Sequence, residues 1–193
     1  MKLFCKQLAM IAGGALLVAT AWAGPPTPVM LSNACGGCHG TNGASAGPSM
    51  PTVGGQSAIA TVEAMKGFKS GERPATVMGR LAKGYSDAEI EAMGKYFATQ
   101  KWLPAGSQQT DPAKVAKGKE LHEKNCKRCH LENGKEYDEN ASVLAGQWLE
   151  YLQIQMDDYA SGKRKMSEKK AERMKPLSRQ DLDALAHFYA SQR

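Results

Sequence analysis

The 193-residue sequence predicts an all-α protein built twice over. Three observations carry that expectation. No stretch of useful length alternates apolar and polar residues with the period of two that a half-buried strand requires. Helical stretches recur, each opened by a capping residue and closed by glycine, proline or a polar run. Finally, a shift of 91 residues superposes one half of the chain on the other. Cys35, Cys38 and His39 fall on Cys126, Cys129 and His130, Asn42-Gly43 on Asn133-Gly134, Gly55-Gln56 on Gly146-Gln147, and Gly71 and Arg73 on Gly162 and Arg164. Past one inserted residue, Ser86 meets Ser178 and Tyr96-Phe97 meets Phe188-Tyr189. A repeat of that extent is a duplicated structural unit.

The first element is not part of either unit. Residues 1–23 carry Lys2 and Lys6, then an apolar run, then the small-residue pattern Ala21-Trp22-Ala23, which reads as a signal peptide cleaved after Ala23. Its apolar run is short for a bilayer-spanning helix, and no later segment approaches that length. Each unit then reads as a short helix leading into the cysteines, plainest in "DPAKVAKGKELHEKN", where Asp111 caps and Pro112 takes the first helical position. A second helix follows the Gly-Gln pair, as "SAIATVEAMKGFKSG" and "QWLEYLQIQMDDYASG". A third closes each unit, opened by Ser86-x-x-Glu89 and Ser178-x-x-Asp181. Proline, glycine and polar residues break the pattern between the halves. The expected division is therefore 24–102 for the first domain, a linker over 103–112 and 113–193 for the second.

The chemistry lies in "SNACGGCHG" and "EKNCKRCHL". Cys5 leaves with the leader, so all four remaining cysteines belong to these two CxxCH units. In an exported chain four cysteines would ordinarily read as two disulfides, and two pairs can also build a zinc site. Neither arrangement requires a histidine at the same offset twice. Each CxxCH places two thiols on one turn, ready to add across the two vinyl groups of one haem, with the imidazole beneath the iron. Two covalent haem c groups follow as cofactors, held by Cys35, Cys38, Cys126 and Cys129, with His39 and His130 as axial ligands. A haem is itself a large apolar body and fills the centre of a module too small for a substantial core of its own.

An iron held by one histidine needs a second ligand or remains open, which separates electron transfer from small-molecule chemistry. Methionine sulfur favours ferrous iron and raises the potential. Met78 stands in the Gly/Pro-punctuated loop "ERPATVMGRLAKGYSDAE", placed to reach the opposite haem face, whereas Met65 and Met93 fall at helical spacings that read as core. In the second half the register lands on Lys169 or Lys170. Met166 is preferred there, with Met174 as the alternate, and lysine ligation or an open site stays possible if neither binds. Arg73 and Arg164 match across the repeat and suit haem propionates as well as they suit a solvated surface. The aromatic pairs fit ordinary core or the haem edge. His122 is expected at the surface and His187 in a structural role.

The two CxxCH halves, the Gly-Gln pairs and "VMGRLAKGYSDAEIEAMGKYFATQ" resemble a dihaem cytochrome of the c-four type. "GFKSGE", "LAGQW" and "LDALAHFYASQ" are similar, more specifically, to the dihaem cytochrome subunit of flavocytochrome c sulfide dehydrogenases. The resemblance implies two tandem class I cytochrome c domains, each wrapped around one covalent haem c. It also implies a periplasmic heterodimer in which a flavoprotein chain carrying FAD oxidises sulfide, and the two haems pass its electrons to a soluble cytochrome c. The catalytic flavin site would lie on that partner, so no residue here is expected to be catalytic.

Charge narrows the remaining choices. The formal charge of +6 falls to +4 without Lys2 and Lys6, which makes no case for nucleic acid. Basic residues concentrate between Lys163 and Lys175, a stretch able to steer an acidic redox partner or simply to stay solvated. Two alternatives remain beside the subunit reading. One is a free dihaem shuttle delivering electrons to a terminal oxidase or another acceptor. The other is a haem peroxidase, supported by the irregular second methionine loop alone.

Overall fold

The computed structural model describes residues 24–136 and 141–193. The expected signal peptide lies outside the described residues. Every regular element among them is helical, and none is long and apolar enough to cross a membrane.

The first repeat runs α1 (Pro28–Asn33), α2 (Gly36–His39), α3 (Ala58–Ser70), α4 (Met78–Leu81) and α5 (Asp87–Ala98). The second runs α6 (Pro112–Asn125), α7 (Leu131–Gly134), α8 (Leu149–Ala160), α9 (Glu168–Met174) and α10 (Arg179–Ser191). The helix starts are set by the residues that the sequence marks. Asp111 accepts from the backbone N–H groups of Ala113 and Lys114, with Pro112 at the first turn of α6. Ser86 and Ser178 each close a full capping box, with Glu89 and Asp181 reaching back to the cap. Such caps satisfy donors that the helix leaves unpaired at its start.

In the first repeat α5 packs against α3 and α1 around Leu31, Ile90 and Met93, with Val62, Met65 and Tyr85 at the edge. In the second, α10 crosses α6 and α8 and is buried almost without interruption from Leu182 to Ala190. Its core joins Leu121, Leu152, Leu185, Phe188 and Tyr189. The α6–α10 crossing is close because residue 118 is glycine: a Cβ there would run into the Ala184 carbonyl and the Phe188 side chain.

The repeated Gly-Gln pair has two separate jobs. Gly55 and Gly146 take positive φ and donate N–H to the carbonyls of Phe97 and Tyr189, both at 2.8 Å, which fastens each loop to its own closing helix. The glutamines cross between repeats. Gln56 donates to Val143 O at 3.0 Å and accepts from Val143 N–H at 2.9 Å, while Gln147 does the same with Thr52, both at 3.0 Å. Residues 52 and 143 are themselves repeat-equivalent, so the two clasps are related by pseudo-twofold symmetry. All four partners are buried. Trp148 adds a bond to Ser45 O at 3.2 Å.

The non-helical stretch between α5 and α6 is strapped to the second repeat. Trp102 Nε1 donates to Ala145 O at 3.1 Å, Ala105 N–H to Gly146 O at 2.6 Å, and Gln108 bonds Gln147 O and Ala190 O.

Candidate haem sites and the face between them

Both CxxCH units close the same turn. His39 N–H returns to Cys35 O at 2.9 Å and His130 N–H to Cys126 O at 3.0 Å. None of the four CxxCH cysteines is joined to another described cysteine in a disulfide. Among the described residues no three His, Cys, Asp or Glu side chains come together as a metal cage. Cys38 and Cys129 are exposed, while Cys35 and Cys126 are partly buried and packed against the two cores. Burial pushes the Cys35 and Cys126 thiols above the usual range.

Each histidine is oriented by the loop that follows it. His39 Nδ1–H donates to Pro51 O at 2.8 Å and His130 Nδ1–H to Ser142 O at 3.2 Å. The acceptors again differ by the repeat shift of 91 residues. A carbonyl accepts only, so Nδ1 carries a proton in each ring, and a backbone carbonyl on Nδ1–H is the outer partner typical of a metal-binding imidazole. The loops are held by Val53 N–H to Gly43 O and Leu144 N–H to Gly134 O, beneath left-handed Asn42 and Asn133. Two thiols plus an Nδ1-anchored imidazole suit a haem c at each site.

Met78 is the first residue of α4 and partly buried. Met166 lies just ahead of Ser167, the cap residue of α9, and lines a surface groove with Leu177, Arg179 and Leu182. Met174 closes α9 and packs against the second core. Between them Lys170 is partly buried, its ammonium 3.6 Å from the centre of the Tyr159 ring. Burial, with Arg164 and Arg73 nearby, brings its pKa down to about 7.

The matched arginines adopt matched poses. Arg73 N–H bonds Gly67 O and its guanidinium covers Phe68; Arg164 N–H bonds Asp158 O and its guanidinium covers Tyr159, each 4.5 Å from the ring centre. They then converge from the two repeats on one acceptor, Gln155 Oε1, at 2.7 Å from Arg73 and 2.5 Å from Arg164. Arg73 also reaches the Tyr151 hydroxyl at 3.3 Å. Burial and the facing Arg73 charge push the Arg164 guanidinium below its usual range. Two cations side by side on a neutral amide make a place suited to anionic groups.

His122 is not the surface residue the sequence suggests. It is 1 % exposed, with Nδ1 2.9 Å from the Tyr189 hydroxyl. The repeat held the clue, since the residue one shift earlier is Leu31, also buried. His187 is structural, accepting from Asp111 N–H at 3.1 Å. The sequence also missed the glutamine clasps and the Gln155 hub, because neither leaves a spacing signature within one repeat.

An all-α tandem with one thiol-and-imidazole site per repeat defines the class of c-type cytochromes. Comparison with known proteins agrees. The Cytochrome c family profile matches residues 115–192. The chain is 46% identical over 68 residues to the cytochrome subunit of sulfide dehydrogenase of Chlorobaculum tepidum, a match spanning 35% of this chain but only 61% of that relative. It is 31% identical over 139 residues to cytochrome c4 of Pseudomonas aeruginosa, covering 67% and 68% of the two chains. It is 30% identical over 171 residues to a thiosulfate dehydrogenase electron acceptor of Thiomonas intermedia, covering 82% and 77%. Among solved structures, reduced cytochrome c4 from Pseudomonas stutzeri superposes with a TM-score of 0.72 at 25% identity, over 83% of this chain and 94% of that one. The chain belongs to the dihaem, c4-type family of c-type cytochromes, and each repeat is a class I cytochrome c domain.

Proposed function

We propose that this chain is a periplasmic electron-transfer subunit that takes electrons from the FAD of a sulfide-oxidising flavoprotein and passes them to a soluble cytochrome c. The identity to the sulfide dehydrogenase cytochrome subunit carries this reading. Bound haem supplies reversible one-electron oxidation and reduction. The protein's own residues do the rest. Cys35 and Cys38, and Cys126 and Cys129, fix two groups so that neither leaves with its electron. Pro51 and Ser142 hold His39 and His130 in the coordinating tautomer, and Met78 offers a sulfur ligand that raises the potential at the first site. Arg73 and Arg164 neutralise propionates at the face between the domains. The glutamine clasps keep the two sites at a fixed separation. Lys163, Lys165, Lys169, Arg173 and Lys175 are exposed and give an acidic acceptor a place to dock.

The longer match to the thiosulfate dehydrogenase electron acceptor favours a second reading, in which a thiosulfate-oxidising enzyme is the donor. Purifying the native complex separates the two. A flavin-bearing chain at one to one, with haem reduced on adding sulfide, is expected. Reduction by thiosulfate through a flavin-free partner selects the second reading, and a lone dihaem chain reduced by neither establishes a free shuttle.

A further inference from the structure

Resting on the reading of this chain as a carrier of two haems, we infer that the distal ligand of the second haem is the amine of Lys170 rather than a methionine sulfur. The register of the repeat places it there. Met78 lies eight residues before the Ser86 cap of α5, and eight residues before the matching Ser178 cap of α10 stands Lys170. Counting forward instead from Gly71 and Gly162 lands on Lys169, but Lys169 is exposed. Lys170 is not. Its side chain is partly buried and its ammonium lies 3.6 Å from the centre of the Tyr159 ring.

The two methionines fail by the same register. Met174, four residues before Ser178, matches Ala82, which is 0 % exposed; this is a packing position, and Met174 packs against the core. Met166, twelve residues before Ser178, matches Pro74, an exposed residue, and it shares a surface groove with Met174, Leu177 and Arg179. On coordination the ammonium gives its proton to solvent and the neutral nitrogen binds. A nitrogen donor lacks the thioether's preference for ferrous iron, so the second site would have the lower potential and electrons would run from the second domain to the first.

The test uses the full chain matured with haem in a periplasm, its haem counted by the pyridine haemochrome. The readout is the near-infrared charge-transfer band that marks sulfur bound to ferric haem. The expected result is two haems per chain with the sulfur band of one, a doubling of that band in Lys170→Met, and no change in Met166→Ala or Met174→Ala. Lys170→Ala is expected to lose the low-spin signal of one haem. A wild-type chain with the sulfur band of two haems, halved in Met166→Ala and untouched in Lys170→Ala, overturns the inference while leaving the dihaem reading intact. Fewer than two haems per chain overturns the reading itself and the inference with it.

Discussion

His122 sits where the first repeat has Leu31, and the exchange gives the second core an imidazole whose protonation costs stability. Burial holds its pKa below the ordinary value of 6.5, so above that pH neither folded nor unfolded chain protonates it. Below it the unfolded chain takes up a proton that the folded chain resists, and stability falls as pH drops. His122→Gln is therefore expected to flatten the decline of the urea midpoint between neutral and mildly acid pH; an unchanged slope would remove His122 as its source. At the face between the domains, Arg73 and Arg164 both end on Gln155. If their charges neutralise propionates, Arg73→Gln shifts the reduction potential of at least one haem, and a titration identical to wild type would return Arg73 to the role of a packing residue. Cys35, Cys38 and His39 with their counterparts Cys126, Cys129 and His130, and the match of Arg73 with Arg164, stood out in the sequence because the repeat prints each twice. The Gln155 hub was not, since its equivalent one shift earlier is Ala64 and nothing in the first half announces it.

The helices themselves followed their capping and periodicity signals. Ser86 and Ser178 show why: a capping box satisfies donors at both cap and third turn position, so it fixes where a helix must begin. Ser178→Ala is expected to cost about 1 kcal/mol of stability, in line with other cap losses, measured as a fall in the denaturation midpoint. Gly118→Ala tests the α6–α10 crossing. Alanine normally favours a helix, yet here the methyl meets the Ala184 carbonyl, so destabilisation of about 1–3 kcal/mol is expected, and a stabilised variant would contradict the close approach. The short α4 and α7 and the longer α9 were elements the sequence did not yield, α4 lying in the stretch read as a loop around Met78; α9 shows why. Its seven residues lie in a lysine-rich stretch that reads as a charged loop, and the inward turn of Lys170 depends on tertiary packing against Tyr159.

Across the whole molecule, duplication fixed the architecture and the interface arose from cross-repeat contacts that no single repeat contains. Gln56 and Gln147 each satisfy one backbone donor and one acceptor of the other repeat, and all four residues are buried. Gln147→Ala is expected to cost about 1–3 kcal/mol and to speed protease cleavage between the domains. Unchanged cleavage would show that the domains do not depend on the clasp. The exposed basic residues Lys163, Lys165, Lys169, Arg173 and Lys175 act at longer range, so electron transfer to an acidic partner is expected to slow as salt rises, whereas a flat rate would remove steering. The central expectation is that each repeat carries its own covalent haem. Intact mass of the denatured, purified chain is the most direct test, because denaturation strips zinc and any unattached haem. The expected result is polypeptide plus two haems, with one on each peptide containing Cys35–Cys38 and Cys126–Cys129; a mass of bare polypeptide, or of a chain with disulfides in place of haem, would contradict it.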